Sequence, residues 1–175
     1  MWPGTTHLRT PLGEIEVDVD ALRTVPEVVA HPAAHAREHS LEVELPFVQR
    51  LVPGAKLVPI AASHAAPEAV GRVLDALWGG PETLIVISSD LSHYLRYEQA
   101  QFADHATAQR ILALDADLAP HEACGAAAIN GALLAARHHD LAPRLLDLRN
   151  SGDTAGDRDR VVGYAAFAFM EPLVE

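Results

Sequence analysis

"TLIVISSDLSHY" (Thr83–Tyr94) sets an uncharged, β-rich run directly before a dense cluster of polar side chains. The run from Thr83 to Ser89 carries no charge, the composition expected of a strand buried on both faces. Ligands of open α/β sheets bind just beyond the carboxyl ends of the strands. That is where Ser88, Ser89, Asp90, Ser92 and His93 fall. Asp90 and His93 offer a hard oxygen and an imidazole within three residues, usable as metal ligand and general base. The competing reading is that Asp90 caps the following turn and His93 is simply exposed.

Working outward, "LVPI" (Leu57–Ile60) has the same strand composition. Between the two runs, "APEAVGRVLDALWGG" places Val70, Val73, Leu74, Leu77 and Trp78 on one helical stripe. Pro67 suits the first turn of that helix and Gly79-Gly80 its end. The pattern predicts a parallel, right-handed strand–helix–strand unit. A helix is expected from about Tyr97 to Leu114, with Phe102, Ile111 and Leu112 facing inward. A second is expected from about Ala123 to His139, rich in alanine and glycine and so suited to close packing. Two closing strands follow, "RLLDLRN" and "RVVGYAAFAFM", separated by the turn-rich "SGDTAGDRD". In the first thirty residues only "GEIEVDVDAL" suits a sheet, so the chain reads as beginning abruptly. The organisation expected is a single layered α/β domain over residues 1–175.

Composition narrows the functional classes. At 175 residues and 18.8 kDa, with 49% apolar and 21% charged residues, the chain suits a folded globular domain. The balance of 13 basic against 24 acidic residues leaves a net charge of −11, which repels phosphate backbones and argues against a nucleic-acid partner. No apolar run approaches the roughly 20 residues of a membrane helix. The start "MWPGTTHLRTP" has neither the basic region nor the apolar segment of a secretory signal. Cys124 has no second cysteine to pair with, which suits a reducing, cytoplasmic setting.

Two further motifs invite chemistry. In "HEACGAAAIN", Cys124 stands where a helix begins. A helix N-terminus favours the thiolate, the form that acts as nucleophile or soft metal ligand; a buried structural cysteine is the plain alternative. His35-x-x-Glu38-His39 spells the inverted zincin string. That motif needs both histidines on one helix, whereas "HPAAHA" reads as a loop behind Pro32. A helix starting near Glu38 or Ser40, with Leu41, Leu45 and Val48 inward, leaves His35 outside. In a chain with ten histidines the match is read as chance. His64, His105, His138 and His139 are read as surface or packing residues.

"EHSLEVELPF", "VISSDLSHY", "ACGAAAI" and "NSGDTAGDRDRVVGYAAFAF", in that order, resemble the Memo family, also called AmmeMemoRadiSam system protein B. "RTPLGEIEVD" resembles a segment from the middle of that family's chain. The resemblance implies a fold like that of class III extradiol dioxygenases, with helices on both faces of a mixed, partly parallel sheet. It implies Asp90 and Cys124 as metal-site residues and His93 as the accompanying, catalytic histidine. Glu38 and His39, in the family's Glu-His-Ser at a helix start, are implied as further catalytic candidates, with His39 as a polar partner of the site. Iron(II) is the metal implied, with copper or zinc as alternatives, and radical-SAM and AMMECR-type proteins are the partners implied. The family's remaining metal histidines belong to "PHAGY" and "GPSHH" segments that precede the matching part, so this chain is expected to be the C-terminal portion of the family fold. A carboxylate and a thiolate rarely hold a divalent ion without a third or fourth ligand. Weak metal binding is therefore expected of this chain alone, with no activity of its own. A sheet left incomplete on its N-terminal side predicts self-association, for example as a homodimer. Two other functions stay open: a metal-free interaction module, and a small hydrolase using Cys124 with His93 or His39 as base.

Overall fold

The computed structural model describes residues 1–154 and 156–171. Among these, six α-helices and two small sheets make a mixed α/β protein. The chain groups into two compact units, one from Met1–Ala62 with Asp75–Ser88, the other from Ser63–Leu74 with Ser89–Glu175.

The first unit opens with an antiparallel hairpin, β1 (His7–Thr10) and β2 (Gly13–Glu16). Gly13 closes its turn at φ +124°, a conformation strained for any residue with a Cβ. Helix α1 (Val19–Arg23) is capped by the Asp18 carboxylate, which accepts from the Ala21 amide. Ile15, Val17, Leu22, Val25, Val28 and Leu45 are buried and form the apolar interior of this unit.

Three expectations for this unit need correction. "HPAAHA" is not a loop: Pro32–His35 forms a short helix, α2, opened by a proline and capped by the His31 ring. The next helix, α3, spans Leu45–Leu51 rather than starting near Glu38. Isolated helical turns such as Val43 N–H to His39 C=O precede it. Pro46 has no N–H to continue a ladder back into that stretch. Finally, the two β-rich runs form no strands. Leu57 makes one parallel bridge with Val17, and Thr83–Ser89 joins no ladder among the described residues. Leu84 and Val86 are 69% and 50% exposed. An apolar composition makes a run fit for a buried strand, but a ladder also needs a neighbouring edge to supply donors and acceptors.

In the second unit β3 (His93–Leu95), β5 (Val161–Met170) and β4 (Ala142–Asn150) form an antiparallel sheet in the order β3-β5-β4. The two closing strands lie where expected. Helices α4 (Pro67–Ala76), α5 (Tyr97–Leu112) and α6 (Ala126–His138) also answer to the sequence pattern. Ile111, Leu118, Ala126 and Leu133 form the core of this unit, with Phe167 and Phe169 of β5 packed on it. The glycine of α6 earns its place: a Cβ on Gly131 would stand 2.4 Å from the Val70 Cβ of α4. The inner face of α5 departs from expectation. It presents Ala100, Asp104, Thr107, Ala108 and Ile111, while Phe102 is 82% exposed. At 100° per residue, Phe102 points away from the Ala100–Asp104 stripe.

No helix among the described residues is long and apolar enough to cross a membrane.

Candidate metal centre

The cluster begins where β3 meets β5. Leu91 N–H donates to the Gly163 carbonyl and Gly163 N–H donates to the Ser92 carbonyl, at 2.9 Å each. The pairing then slips: His93 faces Val162 and Leu95 faces Val161, and Tyr94 between them sits at φ +59°. Bulges of this kind re-aim side chains at the rims of sheets, and backbone strain gathers there.

Thirty-four residues later the chain returns to the same place. Cys124 N–H donates to the Asp90 carbonyl at 3.2 Å. The Asp90 N–H in turn donates to the Cys124 sulfur at 3.3 Å. Ser89 Oγ completes the junction by donating to the Asp90 carbonyl at 2.7 Å and accepting from Gly125 N–H at 2.8 Å. It lies 3.6 Å from the Cys124 sulfur. Gly125 is the N-cap of α6, so one hydroxyl ties the Asp90 segment to the start of that helix. His93 Nε2 lies 3.5 Å from Asp90 Oδ2. A carboxylate oxygen, an imidazole nitrogen and the thiol sulfur all come within 4.8 Å of one another.

The approach to Cys124 is held from α5 and α6. Arg110 donates two hydrogen bonds to the Glu122 carboxylate at 2.7 Å, one to Asp115 at 2.7 Å and one to the Asp117 carbonyl at 2.7 Å. Asp115 and Glu122 raise the guanidinium above its ordinary pKa, and Arg110 holds Asp115 below the usual carboxylate range. Burial opposes ionisation of Glu122. The Ala119 amide and Arg110 outweigh it, and the group is lowered on balance. The buried Asn130 amide grips both the N–H and the C=O of Leu118 at 2.9 Å. The loop before Cys124 is therefore fixed at several backbone points.

Of the sequence candidates, the structure brings Asp90, His93 and Cys124 together. Glu38 and His39 belong to the first unit, on the turns before α3. Glu38 accepts from Ser40 N–H at 2.9 Å, and this bond first of all lowers its pKa. His39 pairs with Glu42 at 2.7 Å. His35 ends α2 and bonds the Met1 carbonyl at 3.1 Å. It therefore shares no helix with His39, and the zincin spacing is a coincidence. Sequence reasoning missed Asp104, which is 2% exposed on the inner face of α5. Its signal is a carboxylate on a helical stripe of small residues, hidden when Phe102 is read as inward.

A family model described as Memo-like protein matches residues 4–168. The chain belongs to the Memo-like family. A MEMO1 family protein of Caldivirga maquilingensis is 35% identical, over 93% of this chain and 64% of that protein. One of Aeropyrum pernix is 38% identical over 90% and 62%. One of Archaeoglobus fulgidus is 33% identical over 91% and 66%. The chain thus spans 62% to 66% of the length of these relatives. In this chain the carboxylate, imidazole and thiol all belong to the second unit.

Proposed function

We propose that this Memo-like chain carries part of a non-haem metal site, in which Asp90 and Cys124 are ligands and His93 serves as third ligand or as base. The observation that carries the proposal is the convergence of those three donors within 4.8 Å. Oxygen, nitrogen and sulfur donors together suit a borderline divalent ion: iron(II) first, with copper or zinc as alternatives. The donors fit such an ion chemically, because the carboxylate supplies charge and a thiolate soft donation. Bound there, the metal would act as a Lewis acid or redox centre toward a small substrate. The protein's own part is to hold Asp90 and Cys124 in register through their reciprocal backbone contacts. Asp90 Oδ2 also lies 3.5 Å from His93 Nε2.

Among the described residues this group supplies three donors, which leaves further coordination positions open. We take the length of the relatives beyond this chain as the source of further imidazoles, and radical-SAM and AMMECR-type proteins as working partners. Glu38 and His39 are proposed to contribute from within the first unit, where they bond Ser40 and Glu42.

Cobalt(II) titration of the metal-free chain tests the reading, since a thiolate ligand produces a near-ultraviolet charge-transfer band. The parent should show the band, and Cys124→Ala should remove it and weaken binding by at least about tenfold, or 1.4 kcal/mol. Unchanged affinity in Cys124→Ala would rule the thiol out as a ligand. If the parent binds no metal while alkylation of Cys124 blocks a hydrolytic activity, the nucleophile reading replaces this one.

A further inference from the structure

The geometry points to Asp104, a buried carboxylate on α5, as the positioning residue that sets the Asp90–His93 half of this site before any ligand arrives. The inference rests on the metal-site reading and adds a residue to it.

Asp104 is 2% exposed, and charged groups are rarely buried so completely without a specific partner. Its partner is a backbone group: Asp104 Oδ1 accepts from Ser92 N–H at 3.0 Å, in a fully buried bond. Ser92 lies between Asp90 and His93, so the bond anchors the residue that joins the two candidate site groups. The Ser92 carbonyl is held on its other side by Gly163 N–H at 2.9 Å. Both backbone polar groups of Ser92 are thereby fixed, one by α5 and one by β5.

Gly163 shows how closely the carboxylate is seated. A Cβ built there would stand 2.1 Å from Asp104 Oδ2 and 2.5 Å from its Cγ. The absence of a side chain on β5 makes the seat, and the carboxylate fills it. The chain path from this seat runs through Ser92 to the bulge at Tyr94 and back to Asp90, whose N–H reaches the Cys124 sulfur. Loss of the Asp104 bond frees the segment that orients both Asp90 and His93. Partners one step removed from a metal orient its ligands, and their removal typically costs 10- to 100-fold in affinity.

The test uses the full chain, metal-free, as the parent, Asp104→Ala, Asp104→Asn and Leu133→Ala. The last truncates the core without touching a donor. Each is confirmed folded by circular dichroism. Ser92 amide exchange is measured without metal, and cobalt(II) affinity from the thiolate band. Asp104→Ala should lose Ser92 protection and about 10- to 100-fold in affinity. Asp104→Asn keeps an acceptor oxygen and should hold both near the parent. Leu133→Ala should lose stability but keep affinity. If Asp104→Ala does not fold, Gly163→Ala carries the same expectation, because its Cβ displaces the carboxylate. A parent with an unprotected Ser92 amide overturns the inference, as does Asp104→Ala binding like the parent or Leu133→Ala losing affinity equally. A parent that binds no cobalt(II) overturns the metal reading and this inference together. A parent that binds, with an unaltered Asp104→Ala, overturns this inference alone.

Discussion

Arg110 and Glu122 show how single residues hold the path to Cys124. Four hydrogen bonds leave one guanidinium, and two of them meet the Glu122 carboxylate. Asp115 and Glu122 have folded pKa values below their ordinary ones. A carboxylate lowered in this way stabilises the fold fully above its unfolded pKa, near 4, and loses that contribution as pH falls through the lower folded value. Urea melts between neutral pH and about pH 3 should therefore show an acid limb that Glu122→Gln flattens. An identical acid limb in the variant would mean that other carboxylates govern acid stability.

At the scale of elements, α4 and α6 approach as closely as their side chains allow. Val70 and the Pro67 carbonyl crowd the space where a Gly131 Cβ would sit, at 2.4 Å and 3.0 Å. Helices cannot part by a fraction of an ångström without loosening the core beneath, which includes the fully buried Leu133 of α6. Gly131→Ala should therefore destabilise by about 1–3 kcal/mol through overpacking, despite the better helix propensity of alanine. Leu133→Ala should cost more, about 2–5 kcal/mol, because it opens a cavity. Thermal melts order the two. A Gly131→Ala variant more stable than the parent would show that the helices separate freely.

For the molecule as a whole, charge and exposed apolar surface act in opposite directions. A net charge of −11 keeps copies apart, while Leu84 and Val86 stand exposed on a run that joins no ladder among the described residues. Salt screens charge over a Debye length of about 10 Å at 0.1 M and leaves apolar attraction intact. Light scattering in rising salt should therefore show association, with a dimer as the first species. A monomer at every salt concentration would mean that this run offers no edge for pairing.

The sequence by itself determined the family, through four ordered motifs, and the α/β class, through the positions of α4, α5, α6, β4 and β5 along the chain. Those patterns are legible because each element's own residues carry them. It also marked Asp90, His93 and Cys124 as reactive types, since a cluster after an apolar run and a thiol at a helix start are local features. The family resemblance implied that these residues share a site, and the tertiary structure supplied the contacts that join them, such as Asp90 N–H to Cys124 Sγ, which no spacing encodes. The tertiary structure alone decided that Thr83–Ser89 joins no ladder, because pairing depends on a neighbouring edge and not on the run's own composition. It alone revealed Asp104, because the phase of α5 depends on what packs against it. A helix sequence shows its stripe, but the partner decides which side is inside.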